Sequence, residues 1–245
     1  QTMSQSLIIQ NARLVHTAGD APHTDAHSST LYIADGKIVG IDQVPDGFAQ
    51  DAQIIDAQNK HTSFALADLA VRLSEKGGNQ DDVMPQVLQA ALRGGVAHVA
   101  CLPDSNPVLD EPRLVTQLIH QSESLGLAKI HPLGALTQGL KGEQLAEMAT
   151  LVENGCIALS QADQPIRNTQ VLQRALAYAA SFNLPVWLRA QDSFLSSGFA
   201  ASGAYASRLG LSGIPTAAES IALFTSAVFP VHAQLNWYAP PKQKV

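Results

Sequence analysis

The chain has 245 residues, 46% of them hydrophobic and 15% charged, so it is long enough to bury a substantial core as one large domain or one large and one small. Its formal net charge of -6 is spread without long runs, which argues against nucleic acid or an anionic membrane as the main partner. No apolar stretch reaches the length of a membrane span and no basic-then-apolar leader opens the chain, and Cys101 and Cys156 stand in separate apolar runs, as buried reduced thiols of a cytoplasmic protein do.

Short strands are expected first. Leu7–Ile9, Arg13–Val15, Leu31–Ile33, Lys37–Ile41 and Gln53–Asp56 read as a small antiparallel sheet over residues 1–62, with Asp35-Gly36 as a hairpin turn. The Gly-, Pro-, Ser- and Asp-rich stretch Thr17–Ser29 reads as a loop, which makes its His23 and His27 solvated rather than paired metal ligands.

From residue 63 the pattern becomes strand, loop, helix. Strands are expected at Ser63–Leu69, Val96–Leu102, Lys129–Gly134, Cys156–Ser160 and Pro185–Ala190. Helices are expected at Gln80–Arg93, Asp110–Ser124, Glu143–Glu153, Thr169–Phe182 and Pro215–Ala227. His98 and His131 fall inside apolar strands and read as satisfied core residues; Lys141 reads as part of a turn. Alternating units of this kind imply a parallel α/β sheet spanning 63–228, either doubly wound or a (β/α)8 barrel of which five or six units are visible. The tail over 229–245 offers no interpretable element, and a barrel's remaining units either lie outside this stretch of chain or are supplied in some unusual way.

Chemistry in parallel α/β folds gathers in the loops after the strands. Those loops carry Asp68, Arg72, Asp104, Asn106, Thr137, Gln161, Asp163, Arg189 and Asp192, and no histidine. A hydrolytic zinc site needs several neutral imidazoles and a carboxylate, with one position open to water. Arginine stays protonated and repels a cation. For the four aspartates, capping or turn formation is the expected role.

The same residues resemble a known family. Asp68–Gly77 (DLAVRLSEKG) resembles the dihydroorotase segment D-L-H-V-H-L-R-E-P-G, and Cys101–Asp110 (CLPDSNPVLD) resembles M-P-N-T-N-P-V-x-D. Gly134–Glu143 (GALTQGLKGE) resembles G-A-I-T-K-G-L-K-G-E, and Leu209–Pro215 followed by Ala217-Ala218-Glu219 resembles L-G-L-x-G-I-P-x-x-A-E. The opening hairpin around Asp35–Val39 also fits. In order from about residue 7 to about residue 224, these motifs identify a resemblance to dihydroorotase-type amidohydrolases, which implies a TIM-type barrel, possible only in part here, with a small flanking β-sheet domain.

The resemblance also implies what has been lost. The family's H-x-H metal pair falls on Ala70 and Arg72, its substrate arginine on Ser74, a ligand aspartate near Gln161 and a ligand histidine on Arg189. The first asparagine of its substrate motif is Asp104, while Asn106 is kept. His232 in the tail cannot by itself rebuild a site. The degenerate positions Ala70, Arg72, Gln161 and Arg189 imply no bound zinc, where catalytic relatives hold it, and a pocket remnant of Asn106, Asp104, Arg72 and Arg189. Non-catalytic relatives of this kind assemble with the catalytic chain of aspartate carbamoyltransferase. The resemblance therefore implies an inactive, oligomeric scaffold of pyrimidine biosynthesis. Two rivals remain: an active cyclic amidohydrolase with an altered metal site, and a metal-free pocket that binds a small anion through Arg72, Arg189 and Asn106.

Overall fold

Asp35 and Gly36 both take positive φ (51° and 72°), a pairing that matches the right-handed twist of two antiparallel strands and joins them tightly. A computed structural model describes residues 6–15, 28–73, 80–227 and 235–237, and it divides into two compact units, 1–64 and 65–245.

In the first unit β1 (Leu7–Leu14), β2 (Ser29–Ala34), β3 (Lys37–Ile41), β4 (Gln53–Asp56) and β5 (His61–Thr62) form one sheet. β1 pairs antiparallel with β2 and parallel with β4 and β5, so the expected wholly antiparallel sheet is mixed. Asn11 takes positive φ and donates from Nδ2 to Asp56 (2.9 Å), tying β1 to the end of β4. His23 and His27 lie outside the described residues, as do Ser74 and His232.

In the second unit the elements run β6 (Leu66–Val71), α1 (Gln80–Arg93), β7 (Val96–Cys101), α2 (Pro112–Leu125), β8 (Lys129–Ala135), α3 (Met148–Glu153), β9 (Ala158–Ser160), α4 (Thr169–Ser181) and β10 (Val186–Leu188). They continue through β11 (Ala200–Ala201), α5 (Ala204–Arg208), β12 (Gly213–Ile214), α6 (Ala217–Ala227) and β13 (Leu235–Trp237). Six strands form one parallel sheet in the order β6-β7-β8-β9-β10-β13. A doubly wound sheet reverses its strand order at a switch point. This one does not, so the unit is a parallel half-barrel. β13 falls in the tail, where the sequence offered no element: its partner β10, and not its own pattern, makes it a strand. No helix among the described residues is long and apolar enough to cross a membrane.

The sheet separates two chemistries by alternation. Val99, Cys101 and Ile130 face α1 and α2 and pack with Met84, Leu88, Leu114 and Leu118. Leu159, Val186 and Leu188 pack with Leu151, Leu172, Leu176 and Ala179 of α3 and α4. The opposite face carries a smaller cluster of Leu102, Leu133 and Ala158, with Ala70 and Trp187 against it. Pro112 opens α2 with the φ a first turn needs, Gly126 closes it in the left-handed region (φ 61°), and Asn168 caps α4 by accepting from the Gln170 N–H (2.9 Å).

Two sequence expectations are corrected here. The helix expected from Glu143 begins only at Met148, because the preceding chain turns back: Thr137 and Leu145 form an antiparallel bridge and Ala146 N–H donates to Leu136 O (3.0 Å). Lys141 is an exposed part of that turn. His98 and His131 are not core residues: His98 is exposed and His131 half-buried, because their side chains fall on the face away from the helices. They satisfy each other, with His98 Nδ1 and His131 Nε2 3.0 Å apart.

Candidate functional site

The C-terminal ends of β6, β7, β9 and β10 bring together four charged side chains from distant parts of the chain. Arg72 follows β6 directly. Its Nε donates to Asp104 Oδ2 (2.7 Å), and its Nη2 pairs with Asp163 Oδ2. Arg189, which follows β10, places Nη1 2.9 Å from Asp163 Oδ1. That last contact is coulombic rather than a well-aligned hydrogen bond, and Oδ1 is buried without another donor. Asp163 thus bridges two guanidinium groups, while Asp104 binds one.

Two cations and two anions make the cluster formally neutral, so the two guanidiniums expected to repel a cation are each paired with a carboxylate. This corrects the roles of two aspartates. Asp192 does stabilise a turn, accepting from Phe194 and Leu195 N–H (2.9 and 3.0 Å), whereas Asp68 lies inside β6 and accepts from Ala70 N–H (3.0 Å) where the register with β7 shifts. Asp104 and Asp163 instead bind arginine. Partial burial of Arg72 acts to weaken its charge, but pairing with Asp104 and Asp163 outweighs this and raises the guanidinium above its ordinary value.

Gln161 sits beneath this layer and is fully buried. Its Nε2 donates to Leu140 O (2.9 Å) and reaches Thr137 Oγ1 (2.8 Å), and Thr137 Oγ1 also accepts the Gly142 N–H (3.0 Å). The amide stitches the end of β9 to the turn after β8. Ala70 presents only a methyl group, packed against Leu102, Leu133 and Ala158. Asn106 is exposed and precedes the cis Asn106–Pro107 bond, and among the described residues no side-chain hydrogen bond links it to the arginines. The structure therefore unites Arg72, Arg189 and Asp104 through Asp163, without a hydrogen bond from Asn106 among the described residues.

A cleft of about 770 Å³, open to solvent, adjoins the cluster and is lined in part by Gln161, Asp163, Arg167, Arg189, Gln191 and Phe194. The Arg167 guanidinium lies 5.6 Å from the Phe194 ring centroid. The sequence places Thr137 and Asp163 among the strand-end residues, at the edge where such folds put chemistry, but it assigns Thr137 no role and does not reveal that Asp163 bridges two arginines.

The four positions that the resemblance aligns with metal ligands do not fit a zinc ion. They hold a methyl group, two ion-paired guanidiniums and an amide already satisfied by a hydroxyl and a carbonyl. Cys101 and Cys156 offer nothing here either. Both are buried on the helix side; burial, with Asp104 and then Cys156 adding to it, raises the Cys101 thiol, and burial pushes Cys156 up to about 12.

Comparison with known proteins gives these positions a family context. The family model described as "Dihydro-orotase-like" matches residues 62–239. A dihydroorotase-like protein of Pseudomonas aeruginosa is 36% identical over 219 residues, covering 89% of this chain and 51% of the relative. A dihydroorotase of Anaeromyxobacter dehalogenans is 34% identical over 220 residues, covering 89% and 50%. The chain thus spans about half the length of the curated relatives it matches. Among solved structures, an L-hydantoinase from Arthrobacter aurescens superposes with a TM-score of 0.64 at 15% identity, covering 96% of this chain and 52% of that one. A D-hydantoinase from Bacillus sp. AR9 gives 0.58 at 16% identity, covering 94% and 51%. These likenesses show the fold alone. With the family model matching well over half of its residues and relatives above 30% identity along most of its length, the chain belongs to the dihydro-orotase-like family.

Proposed function

We propose that this protein is a non-catalytic member of its family and acts in the cytoplasm as a structural subunit for the catalytic chain of aspartate carbamoyltransferase in pyrimidine biosynthesis, on the framework of a (β/α)8 barrel. The observation that carries the first half of this reading is the Arg72–Asp104–Asp163–Arg189 network. In metal-dependent hydrolysis the ion lowers the pKa of a bound water to about 7, which makes hydroxide available at neutral pH. A cluster whose two carboxylates already neutralise two guanidiniums has little negative charge left to attract such an ion. Evicting an arginine to admit one would also leave a partly buried carboxylate without its partner. The partner half of the reading rests on resemblance to non-catalytic relatives.

The small-anion rival is disfavoured by the same geometry, since the charge of Arg72 and Arg189 is already matched. The active-hydrolase rival is the alternative that the experiment addresses. Purified protein is assayed for zinc and for dihydroorotate turnover with and without chelator, and it is co-expressed with the aspartate carbamoyltransferase of its own organism and sized by chromatography. The expected outcome is no stoichiometric zinc, no turnover, and one joint peak. Stoichiometric zinc with chelator-sensitive turnover refutes inactivity, and two independent peaks refute the scaffold role.

A further inference from the structure

We propose that His98 and His131 form a two-nitrogen binding site for a divalent transition metal of the Cu(II) or Ni(II) class, on the sheet face opposite the helices and apart from the strand-end cluster. The two residues stand on adjacent parallel strands, with His98 in register with Lys129 and Ala100 in register with His131. They are therefore diagonal neighbours on one face. Their facing nitrogens, His98 Nδ1 and His131 Nε2, are 3.0 Å apart, with the rings tilted by 35°.

This separation selects among geometries. Taking metal–nitrogen bonds of about 2.0–2.1 Å, nitrogens 3.0 Å apart subtend about 90–97° at a shared ion. A tetrahedral ion would spread the same nitrogens to about 3.3–3.4 Å. The observed pair matches adjacent corners of a square-planar or octahedral site and not a tetrahedral one; with nitrogen ligands Cu(II) and Ni(II) favour the tetragonal arrangement, and copper leads the divalent affinity order. The strands hold both imidazoles in place before the ion arrives. Both residues lie in the N-terminal halves of β7 and β8, and His98 is the more exposed of the two. Among the described residues no group of three His, Cys, Asp or Glu side chains converges, so the protein supplies two ligands and water the rest.

The proton bookkeeping closes without a further reactant. In the neutral pair one facing nitrogen carries the bridging proton and the other accepts it. Metal binding moves that proton to the far nitrogen of the same ring, which frees both facing lone pairs and releases no net proton. Lys129 on β8 is the cation that opposes binding; β6 places Ala67 opposite His98, and β9 contributes no titratable residue.

The test is a Cu(II) titration of the purified protein in a non-coordinating buffer, read by calorimetry and electron paramagnetic resonance. Histidines elsewhere in the chain also bind copper, so the readout is the difference between the parent and the His98→Asn/His131→Asn double variant, each checked for native circular dichroism. One equivalent and its two-imidazole nitrogen splitting should vanish in the double variant, and each single variant should weaken that equivalent by about tenfold or more. Lys129→Gln, at an exposed position, tests the site even if the histidine variants do not fold: it should tighten copper binding about threefold. Equal stoichiometry and affinity in parent and double variant, or in parent and Lys129→Gln, overturns the proposal.

Discussion

Replacing Gln161 by Glu changes one NH2 group to an oxygen and leaves the side chain's shape intact. Its effect follows from the two partners of Nε2, Leu140 O at 2.9 Å and Thr137 Oγ1 at 2.8 Å. The Thr137 hydroxyl can turn and donate to the new carboxylate. The Leu140 carbonyl cannot, and faces a negative oxygen in a fully buried site. A buried acceptor stripped of its donor costs about 1–3 kcal/mol, and the buried charge adds to it, so the variant should lose about 2–4 kcal/mol at pH 7. At roughly 2–4 °C per kcal/mol for a chain of this size, Tm should fall by roughly 5–15 °C. When the introduced carboxyl is protonated, it regains an O–H that can donate to Leu140 O. Its folded-state pKa therefore lies above its unfolded value of about 4.3, so the deficit is small below about pH 4 and grows as pH rises through the folded value. Urea unfolding followed by tryptophan fluorescence suits the measurement, because Trp187 and Trp237 both belong to the unit that holds Gln161. A deficit under about 0.5 kcal/mol at pH 7, or one that does not change with pH, would refute the reasoning.

Asp163 bridges Arg72 and Arg189 whereas Asp104 binds Arg72 alone, so Asp163→Asn should destabilise by about 1–2 kcal/mol and Asp104→Asn by less than about 1 kcal/mol, after discounting for partial exposure. Equal or reversed losses in urea unfolding would contradict the bridging arrangement. The depressed His131 pKa means that the folded protein disfavours the imidazolium; this contribution is present above the unfolded value of about 6.5 and is lost as pH falls below it. His131→Asn should flatten that acid-side slope in a pH series of unfolding curves, and an unchanged slope would place its origin elsewhere.

Much of the architecture was legible because its causes are local. Asp35-Gly36 marks a turn whichever sheet surrounds it. The helices over 80–93 and 169–181 carry their own stop and capping signals, and the strand-end motifs run in the family's order along one chain. The substitutions at Ala70, Arg72, Gln161 and Arg189 were equally legible, since a missing donor atom is a property of residue type.

The partners of those residues were not legible, because pairing is settled across the sheet. Asp104 and Asp163 look like turn formers in sequence, and only the consecutive strand order brings them to Arg72 and Arg189. The 143–153 segment has helical composition, yet its first turn is lost to hydrogen bonds with residues 136–142. His98 and His131 sit in apolar runs that read as buried on both faces, but on the face away from the helices burial reaches Leu133 and Ala158 and leaves His98 exposed. Leu235–Trp237 becomes a strand because β10 offers it an edge. In each case residue type set what a group could do, and the spatial order of parallel strands decided what it met.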